Sequence, residues 1–267
     1  MDCTSQKPGP LTIQLSGVQI KFYFHSDFND LVKIGEGGSG NVYRAKWTSC
    51  NLVVALKRLD VSVEPETRDN KAFFKKLRLL QRVGFHPNIA EFYGITKDLK
   101  NNYNMVVQFA NGGNLRKYLE KNLLRLQWID KLRIAEDISC GLSFLHMSNI
   151  VHGNLHTRNI LVHEERMMIA DFDSLNEPEI AFIEPRFRDS SSYERDEKSD
   201  IYSLGFVLWE ISSGKMPFKS KGIVHCISNR EREAPAENTP HEYVKLYEFC
   251  WDEDPQSVQM LIPFMKI

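Results

Sequence analysis

The spacing of apolar and polar residues divides the chain into a strand-rich first part and a helical second part. Residues 11–24 alternate partly between apolar and polar side chains, and turns separate two further strand-like segments, residues 31–47 and 51–59. Alternation with a period of two is typical of β-strands that bury one face. We therefore expect the first part of the chain to form a small sheet.

A helix is predicted next, at about residues 69–83. Its apolar residues recur at helical spacing: Phe73, Leu77 and Leu80. Residues 90–98 and 102–110 then return to the strand pattern, and the turn cluster Asn-Gly-Gly at 111–113 ends this part of the chain. The helix is therefore expected to pack against the sheet that surrounds it in sequence.

After the turn the pattern becomes helical. Leu115, Tyr118 and Leu119 share one face of a first helix. A longer helix carries four apolar residues along one face: Ile134, Ile138, Leu142 and Leu145. The coarse organisation is a small β-rich lobe followed by a larger helical lobe, with a hinge near residues 108–113.

The composition narrows the class of protein without assigning a function. A chain of 267 residues with a formal net charge of -1 gives no sign of a nucleic-acid-binding surface. Its five cysteines are scattered, which argues against a disulfide framework or a zinc site and favours a reducing compartment. Neither a signal peptide nor an apolar segment long enough for a membrane span is visible, so we expect a cytoplasmic protein.

A glycine-rich segment is the first feature that suggests chemistry. Gly35, Gly37 and Gly40 have the spacing Gly-x-Gly-x-x-Gly-x-Val, which ends at Val42. Glycines let the backbone approach phosphate groups and direct its N–H groups at them. A dinucleotide-binding fold would need a helix directly after this motif, but the residues that follow continue as a strand. Lys57 lies on the next predicted strand, within reach of a nucleotide bound by the glycines.

These glycines and Lys57 are the first of several motifs that resemble a protein kinase catalytic domain, nearest to the tyrosine-kinase-like group. The other motifs follow in the family's order, in residues 85–95, 112–119, 160–173, 198–218 and 249–255. The resemblance implies a bilobal α+β fold with a small β-rich N-lobe and a larger helical C-lobe. Its parts are an N-terminal extension (1–27), the N-lobe (28–107), the hinge (108–113) and a C-lobe (114–267) without the family's last helix.

The resemblance also implies that ATP binds in the cleft between the lobes, together with Mg²⁺. The residues at the nucleotide-binding positions are Gly35, Gly37, Gly40, Val42, Ala55, Lys57, Gln108, Phe109 and Ala110. Asn159 and Asp171 match the two magnesium ligands of the family. Asp173 replaces a glycine beside them, where its charge could assist a metal ion or repel the phosphates, and both outcomes stay open.

Lys76 occupies the position at which the family has a glutamate paired with the phosphate-binding lysine. A cation at this position cannot tether Lys57 and would repel it at close range. We therefore expect Lys76 to point into solvent, while Asp171 or a water satisfies Lys57. This arrangement implies a helix displaced from its place in an active kinase.

Asn154 stands where the family's catalytic aspartate accepts the proton of the substrate hydroxyl. An amide has no useful basicity near neutral pH, and the help of a general base is worth roughly 10²–10⁴ in rate. Gly153 replaces the arginine that contacts a phosphorylated activation loop, whereas Arg158 resembles its counterparts in tyrosine-directed and tyrosine-kinase-like enzymes. Asn154 and Arg158 are the candidate catalytic residues, and an asparagine that still positions a hydroxyl stays an alternative.

The residues that support the C-lobe in the family are mostly present. His152, Phe172 and Asp200 match an internal column to which Leu80 would contribute from the helix. Glu184 matches a glutamate whose usual arginine partner is replaced by Val258. Since a buried carboxylate without a partner is costly, we expect Glu184 to be hydrated or paired elsewhere.

Two functions of different classes are compatible with these residues. The first is a pseudokinase that binds nucleotide and acts as a scaffold or switch for another signalling protein or kinase. The second is a slow protein kinase that uses magnesium and positioning without a carboxylate base, because phosphoryl transfer depends mostly on positioning and charge. A truncated copy without function is a third possibility.

Overall fold

The computed structural model divides the chain into two compact units, each with its own architecture. The first unit comprises Met1–Phe85 and Glu91–Phe109, and the second comprises His86–Ala90 and Ala110–Ile267. Within them the structure describes residues 11–15, 18–37, 40–59, 68–172, 180–184, 195–218 and 232–251. The chain passes between the units at residues 85–86, 90–91 and 109–110.

The described part of the first unit is built on a seven-stranded sheet with one helix. Its strands are β1 (Leu11–Leu15), β2 (Val18–Tyr23), β3 (Phe28–Gly37), β4 (Gly40–Trp47), β5 (Leu52–Arg58), β6 (Phe92–Lys97) and β7 (Tyr103–Gln108). Their order across the sheet is β1-β2-β6-β7-β5-β4-β3. Strands β2 and β6 are parallel, and the other neighbouring pairs are antiparallel.

The helix of this unit, α1 (Arg68–Arg82), packs on one face of the sheet. Its Leu77 is fully buried in a cluster that includes Met105 of β7, whereas Val106, the next residue, belongs to a cluster with Leu56 of β5. Because successive side chains of a strand point to opposite faces, these two clusters lie on opposite sides of the sheet. The sheet therefore has a helix-covered inner face and an outer face without α1.

The second unit is helical in its described part, apart from one hairpin. Its elements are α2 (Leu115–Asn122), α3 (Trp128–Met147), β8 (Ile160–His163), β9 (Arg166–Ile169), α4 (Glu197–Ser213) and α5 (His241–Cys250). Every residue of α4 from Ser199 to Ser213 is buried, as expected of a helix that is largely apolar around its circumference. This helix contacts both α3 and α5, whereas the hairpin of β8 and β9 contacts α2 and α3.

The periodicity of the sequence predicts these elements well. The helix predicted at 69–83 is α1, and the strands predicted at 90–98 and 102–110 are β6 and β7. Six of the seven predicted apolar positions of α2 and α3 are buried, and the seventh, Tyr118, is partly buried. The buried ones are Leu115, Leu119, Ile134, Ile138, Leu142 and Leu145. The expected α+β class, with a β-rich part followed by a helical part, is confirmed.

Three sequence-based expectations fall outside the described residues: those for Asp173, for Val258 and for the family's last helix, which would follow residue 251. Among the helices that the structure describes, none combines the length and the apolar character needed to cross a membrane.

Candidate functional site

The glycine-rich segment forms the hairpin of strands β3 and β4. Gly35 pairs with Val42, and Gly37 pairs with Gly40. Residues 38–39 lie outside the described residues. Gly40 has a φ of 102°, which a residue with a side chain adopts only with strain. The backbone conformation of the hairpin therefore requires a glycine at this position, independently of any contact with phosphate.

Lys57 lies one strand away from this hairpin. It pairs with Val42 of β4 on one side and with Met105 of β7 on the other. Because Met105 packs in the cluster of α1, Lys57 projects from the inner face of the sheet. Ala55, two residues earlier on the same strand, projects from this face as well. The structure thus places Val42, Ala55 and Lys57 on one face, next to the strand that carries Gly35.

The predicted hinge residues lie at the end of strand β7. The backbone N–H of Gln108 donates to the Glu91 carbonyl over 2.9 Å, and the Gln108 Oε1 accepts from the Glu91 N–H over 3.3 Å. Phe109 is the last residue of the first unit, and Ala110 begins the longer segment of the second unit. The Gln108 side chain therefore holds the end of its own strand.

The expected orientation of Lys76 is wrong. This side chain is only 7% exposed and does not point into solvent. Helical geometry explains the error, because Lys76 precedes Leu80 by four residues and adjoins the fully buried Leu77, so it lies on the buried face of α1. The four-carbon stem of a lysine can pack along apolar neighbours while its ammonium group keeps a polar contact. A positive charge is therefore buried at the position of the family's glutamate.

Asn154 lies in a hydrogen-bonded segment of the second unit and is 7% exposed. Its backbone N–H donates to the His152 Nδ1 over 3.1 Å, and its carbonyl accepts from the Asn159 Nδ2 over 2.9 Å. The His152 Nε2 lies 3.1 Å from the Ala170 carbonyl. A neutral imidazole that is protonated at Nε2 satisfies both of its contacts. The side chains of His152 and Asn159 thus hold the backbone of Asn154, whose own amide replaces the carboxylate expected of a base.

The Asp200 carboxylate fixes the start of the same segment. Its Oδ2 accepts from the His152 N–H over 2.7 Å, and its Oδ1 accepts from the Gly153 N–H over 2.8 Å. The His146 Nε2 lies 2.8 Å from the Oδ2 as a further donor. His146 and His152 are buried and Gly153 is partly buried, around a carboxylate that is 1% exposed. Asp200 thus orients residues 152–154 through their backbone.

Arg195 is a cation of this region that the sequence did not suggest. Its guanidinium donates to the Gly153 carbonyl, and a Cβ on Gly153 would lie 3.7 Å from the Arg195 Cδ. Burial lowers the pKa of Arg195, while the charges of Asp200 and Glu184 raise it, and an arginine stays charged throughout. No local signal could have found this contact, because the two residues lie far apart in sequence.

Glu184 is paired with a residue other than the family's arginine, which was one of the two expected alternatives. The carboxylate is 4% exposed, and the Ser199 hydroxyl donates to its Oε1. Ser199 lies in the first turn of α4, where its own N–H donates to the Asp196 side chain that caps the helix. A hydroxyl from α4 therefore stabilises the glutamate that lacks its usual arginine.

The two candidate metal ligands come together at the end of the β8–β9 hairpin. The register pairs Ile160 with Ile169, and the Ala170 N–H donates to the Asn159 carbonyl over 2.8 Å. Asp171 follows directly, with a φ of 61°. Since the Asn159 Nδ2 donates to the Asn154 carbonyl, its Oδ1 is the atom left for a cation, and Mg²⁺ prefers oxygen ligands. The donor set fits a magnesium ion. Arg158, in contrast, is exposed.

Comparisons with known proteins identify the family to which this chain is similar. Residues 28–258 match the sequence model of the protein kinase domain. The serine/threonine/tyrosine-protein kinase HT1 of Arabidopsis thaliana is 30% identical over 245 residues, which cover 84% of this chain and 61% of HT1. The serine/threonine-protein kinase STY46 of the same plant is 29% identical over 243 residues, which cover 83% of this chain and 40% of STY46.

A third relative, the probable serine/threonine-protein kinase pats1 of Dictyostelium discoideum, is 30% identical over 251 residues. These cover 83% of this chain but only 8% of pats1. The chain therefore spans less than two thirds of the length of each of these relatives.

Proposed function

The chain belongs to the protein kinase family and has its bilobal α+β fold, and on this premise we propose that it is a pseudokinase that binds ATP with little or no phosphotransfer. It would serve as a nucleotide-dependent scaffold or switch whose partner is another signalling protein or kinase. The proposal separates nucleotide binding, for which the residues are present, from phosphotransfer, for which a central group is replaced.

Asn154 is the observation that carries this proposal. Its backbone is held by His152 and Asn159, so the residue occupies a well-defined place in the segment. An amide at that place cannot accept a proton near neutral pH, which removes roughly 10²–10⁴ in rate. The buried cation Lys76 adds a second defect, because it replaces the acid that would orient Lys57.

Two groups of residues would hold the nucleotide. We propose that the backbone of Gly35, Gly37 and Gly40 and the ammonium group of Lys57 bind the phosphates. The Oδ1 of Asn159 and the Asp171 carboxylate would hold Mg²⁺, which neutralises phosphate charge when it is bound.

Slow phosphotransfer is the alternative, and the intact hydrogen-bond frame favours it. Asn159 and Asp171 lie together, and Asp200 holds the start of the segment, so a substrate hydroxyl could still be positioned. Positioning and charge supply most of the catalysis in phosphoryl transfer. On this alternative the protein is an ATP-dependent protein kinase with a low rate.

Thermal shift with ATP, with and without Mg²⁺, tests the binding part of the proposal. A ligand that binds the folded state stabilises it by RT ln(1 + [L]/Kd), so ATP should raise the melting temperature. Lys57→Met should reduce this shift, whereas Lys46→Met, which removes an exposed lysine of β4, should not. No shift at millimolar ATP in correctly folded protein would refute ATP binding.

A radiolabelled phosphotransfer assay in the same buffer separates the two functions. The proposal expects an ATP-dependent thermal shift without measurable transfer of the γ-phosphate. Transfer that requires Mg²⁺ and is lost in Lys57→Met would instead support the slow kinase.

A further inference from the structure

Strands β1 and β2 extend the sheet of the first unit, although they precede the residues that match the kinase family. The matched residues begin at 28, whereas β2 ends at Tyr23. The two strands form one edge of the seven-stranded sheet, and β2 joins the rest of it through β6. This N-terminal strap, residues 11–15 and 18–23, is therefore an addition to the sheet of the matched domain.

The strap is attached to the sheet by a short backbone ladder. Phe22 pairs with Ile95 and Tyr23 pairs with Thr96, so two residue pairs join β2 to β6, whereas five join β5 to β7. Both pairs lie at the C-terminal end of β2, and residues 18–21 extend beyond them. Elements that share few hydrogen bonds with the rest of a protein open locally at a low cost in free energy. The strap can therefore separate while the other strands stay paired.

Tyr23 fixes the C-terminal end of the strap on the outer face of the sheet. Its hydroxyl donates to the Tyr93 carbonyl over 3.2 Å, and its ring centroid lies 4.5 Å from that of Trp47. Gly94 of β6 lies beside it with a φ of 152°, and a Cβ there would collide with the Lys21 carbonyl and the Tyr23 ring. A glycine in β6 thus lets β2 approach, and Tyr23 is the fixed end of the strap.

Helix α1 holds the part of the strap that lies beyond the ladder. Ile20 is fully buried in the inner cluster with Leu77 of α1, and Ile13 of β1 packs against the same cluster. The Gln81 side chain, also on α1, donates to the Gln19 carbonyl. The inner face of the strap is therefore docked on α1 through apolar packing and one hydrogen bond.

The same cluster joins the strap to the residues proposed to govern nucleotide binding. Leu77 directly follows Lys76, the buried cation of α1. Met105 belongs to the cluster and pairs across the sheet with Lys57. Because closely packed interiors transmit displacements, withdrawal of Ile20 would loosen both α1 and the packing beside Lys57.

We propose that the strap controls the position of α1 and, through it, the binding of ATP. In the docked state Ile20 fills the inner cluster and supports α1. In the released state the strap swings about Tyr23, and α1 loses this support. The apparent affinity for a ligand falls with the fraction of molecules in the binding-competent state, so release weakens ATP binding. The control of ATP binding rests on the function proposed above, whereas the support of α1 does not.

Hydrogen–deuterium exchange of the full chain tests the support of α1 with a matched pair of variants. Ile20→Asp places a carboxylate in the inner cluster, and Gln19→Asp places the same charge on an exposed position of the same strand. Because burial of an unpaired carboxylate is costly, the strap should leave the cluster in Ile20→Asp. We expect the α1 amides to exchange at least about tenfold faster in this variant. Gln19→Asp should keep the natural rates, and the α4 amides, which report global opening, should keep them in both variants.

The affinity for ATP of the same two variants, measured by isothermal titration calorimetry, tests the coupling. If release leaves about a fifth of the molecules in the competent state, Ile20→Asp should bind ATP about fivefold more weakly. Gln19→Asp should bind ATP as the natural protein does. Absence of ATP binding by the natural protein would refute the proposed function, and the exchange of α1 would still decide whether the strap supports this helix.

Gln81→Glu provides a test that does not depend on the folding of Ile20→Asp. The new side chain has the same shape but cannot donate to the Gln19 carbonyl, so the α1 amides should exchange about two- to fivefold faster. Gln14→Glu, which changes an exposed glutamine of β1, should leave their exchange unchanged. The proposal is wrong if neither Ile20→Asp nor Gln81→Glu accelerates exchange in α1, or if α4 accelerates as much as α1. It is also wrong if exchange in α1 accelerates while the affinity for ATP stays the same.

Discussion

Asn154 in the catalytic segment and Lys76 in helix α1 both depart from the kinase pattern, and they differ in what they change around them. Asn154 has nearly the shape of the aspartate that it replaces, and its backbone is bonded to His152 and Asn159. Lys76 replaces an acid by a base and is buried on the inner side of its helix. The first substitution removes a proton acceptor, whereas the second reverses a charge.

This difference shows that the shape of a catalytic segment and its chemistry are maintained by different atoms. The frame around residues 152–159 uses backbone N–H and carbonyl groups together with the Asp200 carboxylate. None of these bonds involves the side-chain amide of Asn154. The segment can therefore keep the geometry of a kinase after its base has been replaced, and geometry alone does not establish activity.

Restoring the base tests whether the two departures are independent. Asn154→Asp alone should increase phosphotransfer little, because Lys76 would still fail to orient Lys57. Asn154→Asp with Lys76→Glu and Asp173→Gly should increase the rate by roughly 10²–10⁴, the value of a general base. The measurement is the initial rate of transfer from radiolabelled ATP.

Lys76→Glu with Asp173→Gly, which retains Asn154, is the control for this experiment. Groups that act as one catalytic unit are far from additive, so this variant should remain slow. A large gain from Asn154→Asp alone would mean that the site is already assembled, and it would place the protein among the slow enzymes.

Removing Asp200 tests the frame rather than the chemistry. Asp200→Ala leaves the N–H groups of His152 and Gly153 without their acceptor, at a cost of about 1–3 kcal/mol for each buried group. We expect the free energy of unfolding to fall by roughly 2–6 kcal/mol in urea denaturation. Glu120→Ala, which removes an exposed acid of α2, should change it by less than about 0.5 kcal/mol. Equal losses of unfolding free energy in the two variants would show that the hydrogen bonds to Asp200 do not stabilise the fold.

Asp98 provides the weak counterpart of Asp200, because it also accepts several N–H groups but lies in a partly exposed turn. Burial would raise the pKa of Asp98, but hydrogen bonds from Asn102 and Lys100 and the charge of Arg58 lower it overall. Because the pKa is lower in the folded state, the Asp98 carboxylate stabilises the fold at pH values above its unfolded pKa of about 3.9. This stabilisation is lost as the pH falls through the folded-state pKa.

The expected consequence is a small effect that depends on pH. Asp98→Asn should lower the free energy of unfolding at pH 7 by less than about 1 kcal/mol, because water screens the turn. The difference from the natural protein should shrink in urea denaturation as the pH falls below about 4. A difference that grows toward acid pH would contradict the lowered pKa.

The sequence predicts the elements of the fold better than the contacts of individual charged residues. The bounds of α1 follow from Leu77 and Leu80, which recur at helical spacing. The same spacing places Lys76 on the buried face, whereas its charge predicted a place in solvent; the apolar stem of a lysine can pack in such a position. The burial of Lys76 follows from its position on the helix and not from its polarity.

Two further contacts could not have been predicted, for different physical reasons. Arg195 bonds to the Gly153 carbonyl across 42 residues of sequence, a separation that no periodic pattern spans. Glu184 was expected to be hydrated or paired. Its partner is Ser199, whose position is set by the residue at which α4 begins. Such contacts arise from tertiary packing, for which a single sequence carries little signal.

The central claim is that this protein holds ATP without transferring its γ-phosphate. The most direct test measures release and transfer of radiolabelled γ-phosphate at an ATP concentration that saturates the thermal shift, in the presence of Mg²⁺. The account predicts an occupied site and no transfer above that of the Lys57→Met variant. Transfer well above that variant, at the same saturating concentration of ATP, would contradict it.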